Sequence, residues 1–169
     1  MIVSVGGTID ATTGAVRASE ISFVDDVEGP VSSIDRAASS FVVLGRTVFV
    51  DELTVFENAA FGDIEVGHVV EVSGLWRHEQ QVQATFVRRV AFQFEAGMTM
   101  QVKGEIDDLD IGEQKFRIAT QWCNYSAAML QLGGADIANG MYVQVTSTAM
   151  FQNDQMMADA VQARERNRD

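Results

Sequence analysis

The chain has 169 residues, with 24 acidic and 12 basic side chains and a formal net charge of −12. A surface this negative repels nucleic-acid phosphates and anionic lipid headgroups, because binding to them depends on Lys and Arg contacts. We therefore expect no nucleic-acid partner and no membrane insertion. With Cys123 as the single cysteine and only two histidines, an intramolecular disulfide and a tetrahedral zinc site of nitrogen and sulfur ligands are excluded, and no cofactor is expected.

Residues 1–21 resemble the end of a repeated unit. Alternating apolar residues predict one strand that begins at Val3 and a second that begins at Val16. The same pattern recurs at residues 70–74 and 82–84. We expect the first 21 residues to form the hairpin of strands four and five of an incomplete repeat.

Residues 22–91 are predicted to form the first complete repeat. Apolar or β-branched residues at every second position indicate five strands, the first of which begins near Val27. Alanine and phenylalanine spacing within residues 56–67 predicts a short helix or turn between strands three and four. Five strands with this connection are typical of the OB-fold, a Greek-key barrel.

Residues 92–163 repeat the pattern in a diverged form. The segment 27–35 recurs as 102–110, at a displacement of 75 residues, and the segment 64–72 recurs as 137–145, at a displacement of 73. Repetition at a fixed period indicates copies of one structural unit. We therefore expect a second OB-like repeat over residues 92–163.

The predicted fold class is mostly all-β: tandem five-stranded OB-like Greek-key barrels, each with a short helix or turn between strands three and four. In the second repeat that connection is expected within residues 126–140. Residues 164–169, which include three arginines, are expected to form a disordered tail.

Turn glycines and strand valines give the chain a resemblance to a known family. The motifs are Val-x-Gly-x-Val-x-x-Ile-Asp from Val27, Phe-x-Val from Phe41, Gly-Asp-Ile-x-x-Gly-x-Val-Val-Glu-Val-x-Gly from Gly62, and Gln-x-Val-Gln-Ala-Thr-x-Val from Gln80. In these motifs the chain resembles the bacterial domain of unknown function family 5666. The resemblance implies a small OB-like barrel, often found in tandem in exported or lipid-anchored envelope proteins, and hence a periplasmic or cell-envelope location. It implies no activity.

Two sets of side chains are candidates for binding. OB-folds bind ligands across strands two and three, where aromatic rings stack on flat groups, although aromatic residues in small barrels also fill the core. The residues predicted to bind a ligand are Trp76, Arg77, Trp122, Tyr125 and Tyr142. No metal site is predicted, because the only candidate for calcium lacks the third aspartate and the distal glutamate of an EF-hand loop. That weaker candidate consists of Asp107, Asp108, Asp110 and Glu113.

The sequence offers no recognisable set of acid, base and nucleophile, and we expect a protein that is not an enzyme. The predicted function is that of a non-enzymatic interaction module of a bacterial envelope protein, which binds a protein or a glycan. One alternative is a structural module that forms homo-oligomers by strand exchange through the unpaired hairpin, because open sheet edges invite pairing. The other alternative is an oligosaccharide-binding OB-fold.

Overall fold

The regular structure of the chain is almost entirely β-strand. The computed structural model describes residues 3–10, 12–23, 27–78 and 80–165. Within these ranges sixteen strands form a two-stranded, a four-stranded and a ten-stranded sheet. The all-β class predicted from the alternating residues is thus confirmed. In the part of the chain that the structure describes, no helix is long and apolar enough to cross a membrane.

The first two strands form a separate antiparallel hairpin, with β1 at Val3–Ile9 and β2 at Val16–Phe23. Asp10 organises the turn between them, because its carboxylate accepts hydrogen bonds from the backbone N–H groups of Thr13 and Thr12 at 2.9 and 2.8 Å. These bonds lower the pKa of Asp10. This turn holds the two strands in a fixed register.

The first unit contains six strands, and the pairing of five of them closes on itself. They are β3 (Val27–Asp35), β4 (Ser40–Val43), β5 (Arg46–Phe49), β6 (Val55–Glu57), β7 (Val69–His78) and β8 (Gln81–Ala91). Strand β3 pairs with β4, β4 with β5, β5 with β8, β8 with β7, and β7 again with β3. Only the β5 to β8 pairing in this circuit is parallel. Strand β6 lies outside the circuit, parallel to β8.

The hairpin of β1 and β2 repeats the geometry of β7 and β8. In β1 the register shifts between Gly6 and Gly7, and in β7 it shifts between Ser73 and Gly74. A shift at the same place in two hairpins marks the same local bulge. The predicted likeness between residues 1–21 and the end of the first unit therefore extends to backbone pairing.

The second unit uses the same order of pairing with two strands interrupted. Its strands are β9 (Met100–Glu105), β10 (Asp107–Asp110), β11 (Lys115–Ile118), β12 (Gln121–Asn124), β13 (Met129–Gln131), β14 (Tyr142–Ser147), β15 (Met156–Met157) and β16 (Ala160–Ala163). The pairs β10–β11, β11–β12 and β12–β15 correspond to β3–β4, β4–β5 and β5–β8. The pairs β14–β16 and β14–β9 correspond to β7–β8 and β7–β3. Of the predicted tail 164–169, residues 166–169 lie outside the described residues.

The interruption between β9 and β10 does not change the path of the chain. Ile106 lies at the break and is fully buried. Its N–H donates to the carbonyl oxygen of Met141 at 2.9 Å, and its carbonyl oxygen accepts from the N–H of Gly140 at 2.8 Å. Val31, its counterpart, makes the equivalent two bonds at the same distances.

The connections between strands three and four differ between the units. In the first unit a single-turn 3-10 helix covers Phe61–Asp63, and the Asp63 carboxylate accepts from the N–H of Ala60 at 2.9 Å. The guanidinium of Arg36 donates to the carbonyl oxygen of Phe61. In the second unit the segment 126–140 contains turns and the short strand β13, and no helix.

The two units join through equivalent residues. On β3, Val27 pairs with Val102 on β9, which is its own counterpart at the displacement of 75. Gly45 accepts a hydrogen bond at 3.2 Å from the hydroxyl of Thr120, which is again its counterpart. Two contacts between equivalent residues define an approximate twofold axis. One cluster of buried apolar side chains extends through both units.

Candidate functional site

The outer face of β11 and β12 carries the most distinctive surface side chains of the second unit. We define this outer face by Lys115, Arg117, Trp122 and Asn124, all of which are half-buried. They alternate with the core residues Phe116, Ile118 and Cys123. Lys115 lies opposite Asn124, and Arg117 lies opposite Trp122. Strand alternation alone therefore brings one indole, two cations and one amide together.

Charged groups surround the indole of Trp122. The Nζ atom of Lys115 lies 5.3 Å from the centre of that ring and also forms an ion pair with Glu113. The hydrogen bond to Glu113 raises the pKa of Lys115. Arg117 forms an ion pair with Asp108, with 2.7 Å between Nη2 and Oδ2. The Lys115 ammonium thus lies over the ring, and acidic partners on β10 and on the turn that follows it hold the two cations in place.

The acidic residues that were the weaker candidate for calcium are engaged mainly in contacts within this region. Asp108 and Glu113 pair with the two cations, and Asp110 accepts the backbone N–H of Glu113 at 2.9 Å. Asp107 is exposed and lies opposite Arg117 across β10 and β11. In the described ranges no group of three or more His, Cys, Asp or Glu side chains could hold a metal ion.

The two tyrosines of the predicted site do not lie on the outer face. Tyr125 is 6% exposed and stacks on Phe116 with ring centres 5.6 Å apart. It is therefore a core residue rather than a ligand platform, because β-strand alternation beyond Asn124 turns it inward. Tyr142 is half-buried on β14, where it lies opposite Glu105 of β9.

Trp76 and Arg77 belong to the first unit and contact other residues there. The guanidinium of Arg77 lies 4.9 Å from the ring centre of Phe49. The guanidinium of Arg46 lies 4.5 Å from the ring of Trp76. The five residues predicted to bind one ligand therefore lie at separate places in the structure.

Arg46 is the residue that the sequence prediction missed. Its side chain is 1% exposed, and its Nη2 donates to the carbonyl oxygen of Lys103 in the second unit. A Cβ atom on Gly104 would lie 2.0 Å from that nitrogen, so only glycine leaves room for the guanidinium. Arg46 alternates with the apolar residues Val48 and Val50, and this alternation was the available signal that it points inward.

The remaining reactive side chains are held in structural contacts. The thiol of Cys123 is fully buried, and burial raises its pKa to about 12. At neutral pH it is therefore a neutral core group. His68 is 7% exposed, accepts the backbone N–H of Glu65 at its Nδ1 atom, and makes an edge contact with the ring of Phe92.

Comparison with known proteins identifies one family for part of the chain. Residues 28–88 match the family model described as Domain of unknown function (DUF5666). The matched segment begins one residue into β3 and ends within β8, so it covers the first unit. The match supports the family resemblance drawn from the motifs of this segment. No curated protein and no solved structure matched the chain.

Proposed function

We propose that this chain is a non-enzymatic interaction module of a bacterial envelope protein, composed of tandem OB-like barrels. Two observations support the OB-like assignment: the pairing circuit of the first unit closes in the order β3, β4, β5, β8, β7, and the second unit repeats that order. The assignment to an envelope protein rests on the family resemblance.

The partner is a protein or a glycan, and it binds on the outer face of β11 and β12. The observation that carries this proposal is the half-buried indole of Trp122, with the Lys115 ammonium over its ring and Arg117 opposite it on β11. OB-folds bind ligands across these two strands, and a small number of placed polar groups around an apolar surface gives orientation and specificity. A single indole framed by donors fits a sugar ring better than it fits a broad protein interface.

Fluorescence titration tests the glycan form of this proposal. The full chain is titrated with cellohexaose, chitohexaose and maltohexaose, and tryptophan emission is recorded for the parent and for the Trp76→Phe variant. We expect saturable binding of at least one hexasaccharide, unchanged in Trp76→Phe and weakened at least tenfold in Trp122→Ala when measured by calorimetry. Absence of binding, or binding indifferent to Trp122→Ala, would contradict it.

A second candidate function is assembly through the hairpin of β1 and β2. Within the described ranges, these strands pair only with each other. Two-stranded hairpins are marginally stable in water, and unpaired edges attract further strands. Light scattering on the full chain over a hundredfold concentration range tests this role. A concentration-dependent dimer supports it, whereas a monomer throughout counts against it.

A further inference from the structure

One side of the junction between the two units already holds a guanidinium group, that of Arg46. Arg46 donates to the Lys103 carbonyl oxygen, lies over Gly104 and stacks against Trp76. The planar guanidinium is weakly hydrated, and it therefore combines hydrogen bonds at its edge with aromatic contact on its face. Burial of this side chain to 1% exposure shows that the junction accommodates the group fully.

The approximate twofold axis relates this place to an open cleft on the other side of the junction. The cleft has a volume of about 290 Å³. Its walls are formed by Pro30, Ser32, Leu44, Gln121, Phe151 and Asp154. Gln121 is the counterpart of Arg46, and Pro30 follows Gly29, the counterpart of Gly104.

Differences between equivalent residues of the two units explain why the cleft is open. Gln121 is shorter than Arg46, and its Nε2 donates to the carbonyl oxygens of Trp122 and Asp154 at 2.9 and 3.1 Å. Leu44 covers Gly29, since a Cβ atom there would lie 2.9 Å from the Leu44 Cγ atom. Among the residues that the structure describes, no guanidinium lines this side.

The walls of the cleft offer the groups that a guanidinium requires. Phe151 provides a half-buried aromatic ring. The carboxylate of Asp154 is exposed and has no ion pair within the described residues. The amide oxygen of Gln121 is an additional acceptor, because the hydrogen bonds of this side chain use its nitrogen.

We propose that this cleft binds the guanidinium group of an arginine side chain presented by a basic partner protein. Asp154 pairs with the guanidinium, Phe151 stacks on it, and the chain's net charge of −12 attracts a basic partner. An ammonium group fits less well, because it is a compact, strongly hydrated charge without a planar face. Gln121 and Trp122 alternate on β12, so the cleft is separate from the outer face and does not depend on glycan binding there.

Nuclear magnetic resonance of the full, isotope-labelled chain tests this inference with N-acetyl-arginine amide as the probe. We expect saturable shifts at the side-chain amide of Gln121 and at the backbone amides of Ser32 and Asp154, with a dissociation constant of about millimolar, because the carboxylate is exposed. N-acetyl-lysine amide is expected to bind at least fivefold more weakly. Raised salt weakens binding, because exposed charges are screened.

Two variants and one control complete the test. Asp154→Asn retains the fold, because the backbone φ of 61° at this position suits asparagine, and it weakens arginine binding at least fivefold. Phe151→Leu keeps an apolar wall and weakens binding by loss of the ring. The control Asp136→Asn removes an exposed carboxylate elsewhere and leaves binding unchanged. No saturable shift at the cleft, equal binding of the lysine probe, or full binding by Asp154→Asn would overturn the inference.

Discussion

Val27 lies directly opposite Val102, its own counterpart in the second unit. Antiparallel pairing of equivalent residues is the geometry of a twofold interface, which is common between identical subunits. Here it occurs within one chain and joins β3 to β9, so one ten-stranded sheet spans both units. The two sides of this junction differ, because Arg46 fills one side and the cleft opens on the other.

Substitution of Gly45 tests the contact at the twofold axis. Its φ is 74°, and a Cβ atom would lie 2.5 Å from the backbone nitrogen of Gln121. We expect Gly45→Ala to destabilise the protein by about 3 kcal/mol, from left-handed strain together with overpacking. Gly140 has a φ of 82° with open space around it, so Gly140→Ala is the matched control and loses only the strain contribution, about 1 kcal/mol. Urea unfolding measures both, and equal losses would show that the junction contact is absent.

Replacement of Arg46 by lysine tests the role of the planar guanidinium. The charge is kept, but the contact of the planar guanidinium with Trp76 and the hydrogen bond from Nη2 to the Lys103 carbonyl oxygen are lost. We expect a loss of about 1–2 kcal/mol in the free energy of unfolding. Arg77→Lys, at an exposed cation–ring contact of this unit, should change it by less than about 0.5 kcal/mol. An equally small effect of Arg46→Lys would mean that only the charge matters.

Much of this architecture was predictable from the sequence, and the reason is the displacement of 75 residues. This displacement aligned Val27 with Val102. The strands themselves were marked by alternating apolar residues and turn glycines, which are local signals. The pairing of β3 with β9 was not predictable, because the repeat pattern does not state how two units meet. The burial of Arg46 was also missed, since a charged residue beside Gly45 in a hairpin turn is typical of an exposed site.

Glu28 makes the stability of the fold depend on pH. Burial raises the pKa of its carboxyl group, and the facing carboxylate of Glu71 on β7 raises it further, against the opposing effect of Arg88. The folded state therefore binds this proton more tightly than the unfolded state, and stability falls as pH rises from about 4.5 through the raised pKa. Glu28→Gln should melt at a higher temperature than the parent at pH 7, and the difference should shrink toward pH 4.

The control for this experiment is Glu57→Gln on the exposed strand β6. Melting temperatures of the three proteins from pH 4 to pH 8 separate the Glu28 contribution from the titration of all other groups. A difference between Glu28→Gln and the parent that does not vary with pH would exclude a raised pKa at this position.

Cys123 should be unreactive in the folded protein. Its thiol is fully buried, and a pKa of about 12 leaves almost no thiolate at pH 8. We expect Ellman's reagent to release no chromophore from the native chain over several minutes and one equivalent after denaturation in guanidinium chloride. Rapid release of one equivalent from the native chain would place the thiol at the surface.

The candidate site was less predictable than the fold because aromatic type alone does not distinguish core from surface. Tyr125 and Trp122 lie three residues apart, yet one stacks on Phe116 in the core and the other lies on the outer face. Only the register of β11 with β12 shows which residues share a face. The cleft depends on Phe151 and Asp154, which lie in the connection between β14 and β15, where the first unit instead continues the pairing of β7 with β8. No sequence motif marked the cleft.

Chemical-shift mapping of oligosaccharide binding tests the central claim, that the second unit presents a ligand face on β11 and β12. The full chain is titrated with cellohexaose, chitohexaose and maltohexaose. We predict saturable shifts concentrated at Lys115, Arg117, Asn124 and the indole N–H of Trp122, with the equivalent strands β4 and β5 of the first unit unchanged. Shifts confined to other strands, or no saturable shift with any of the three sugars, would contradict the proposed glycan-binding face.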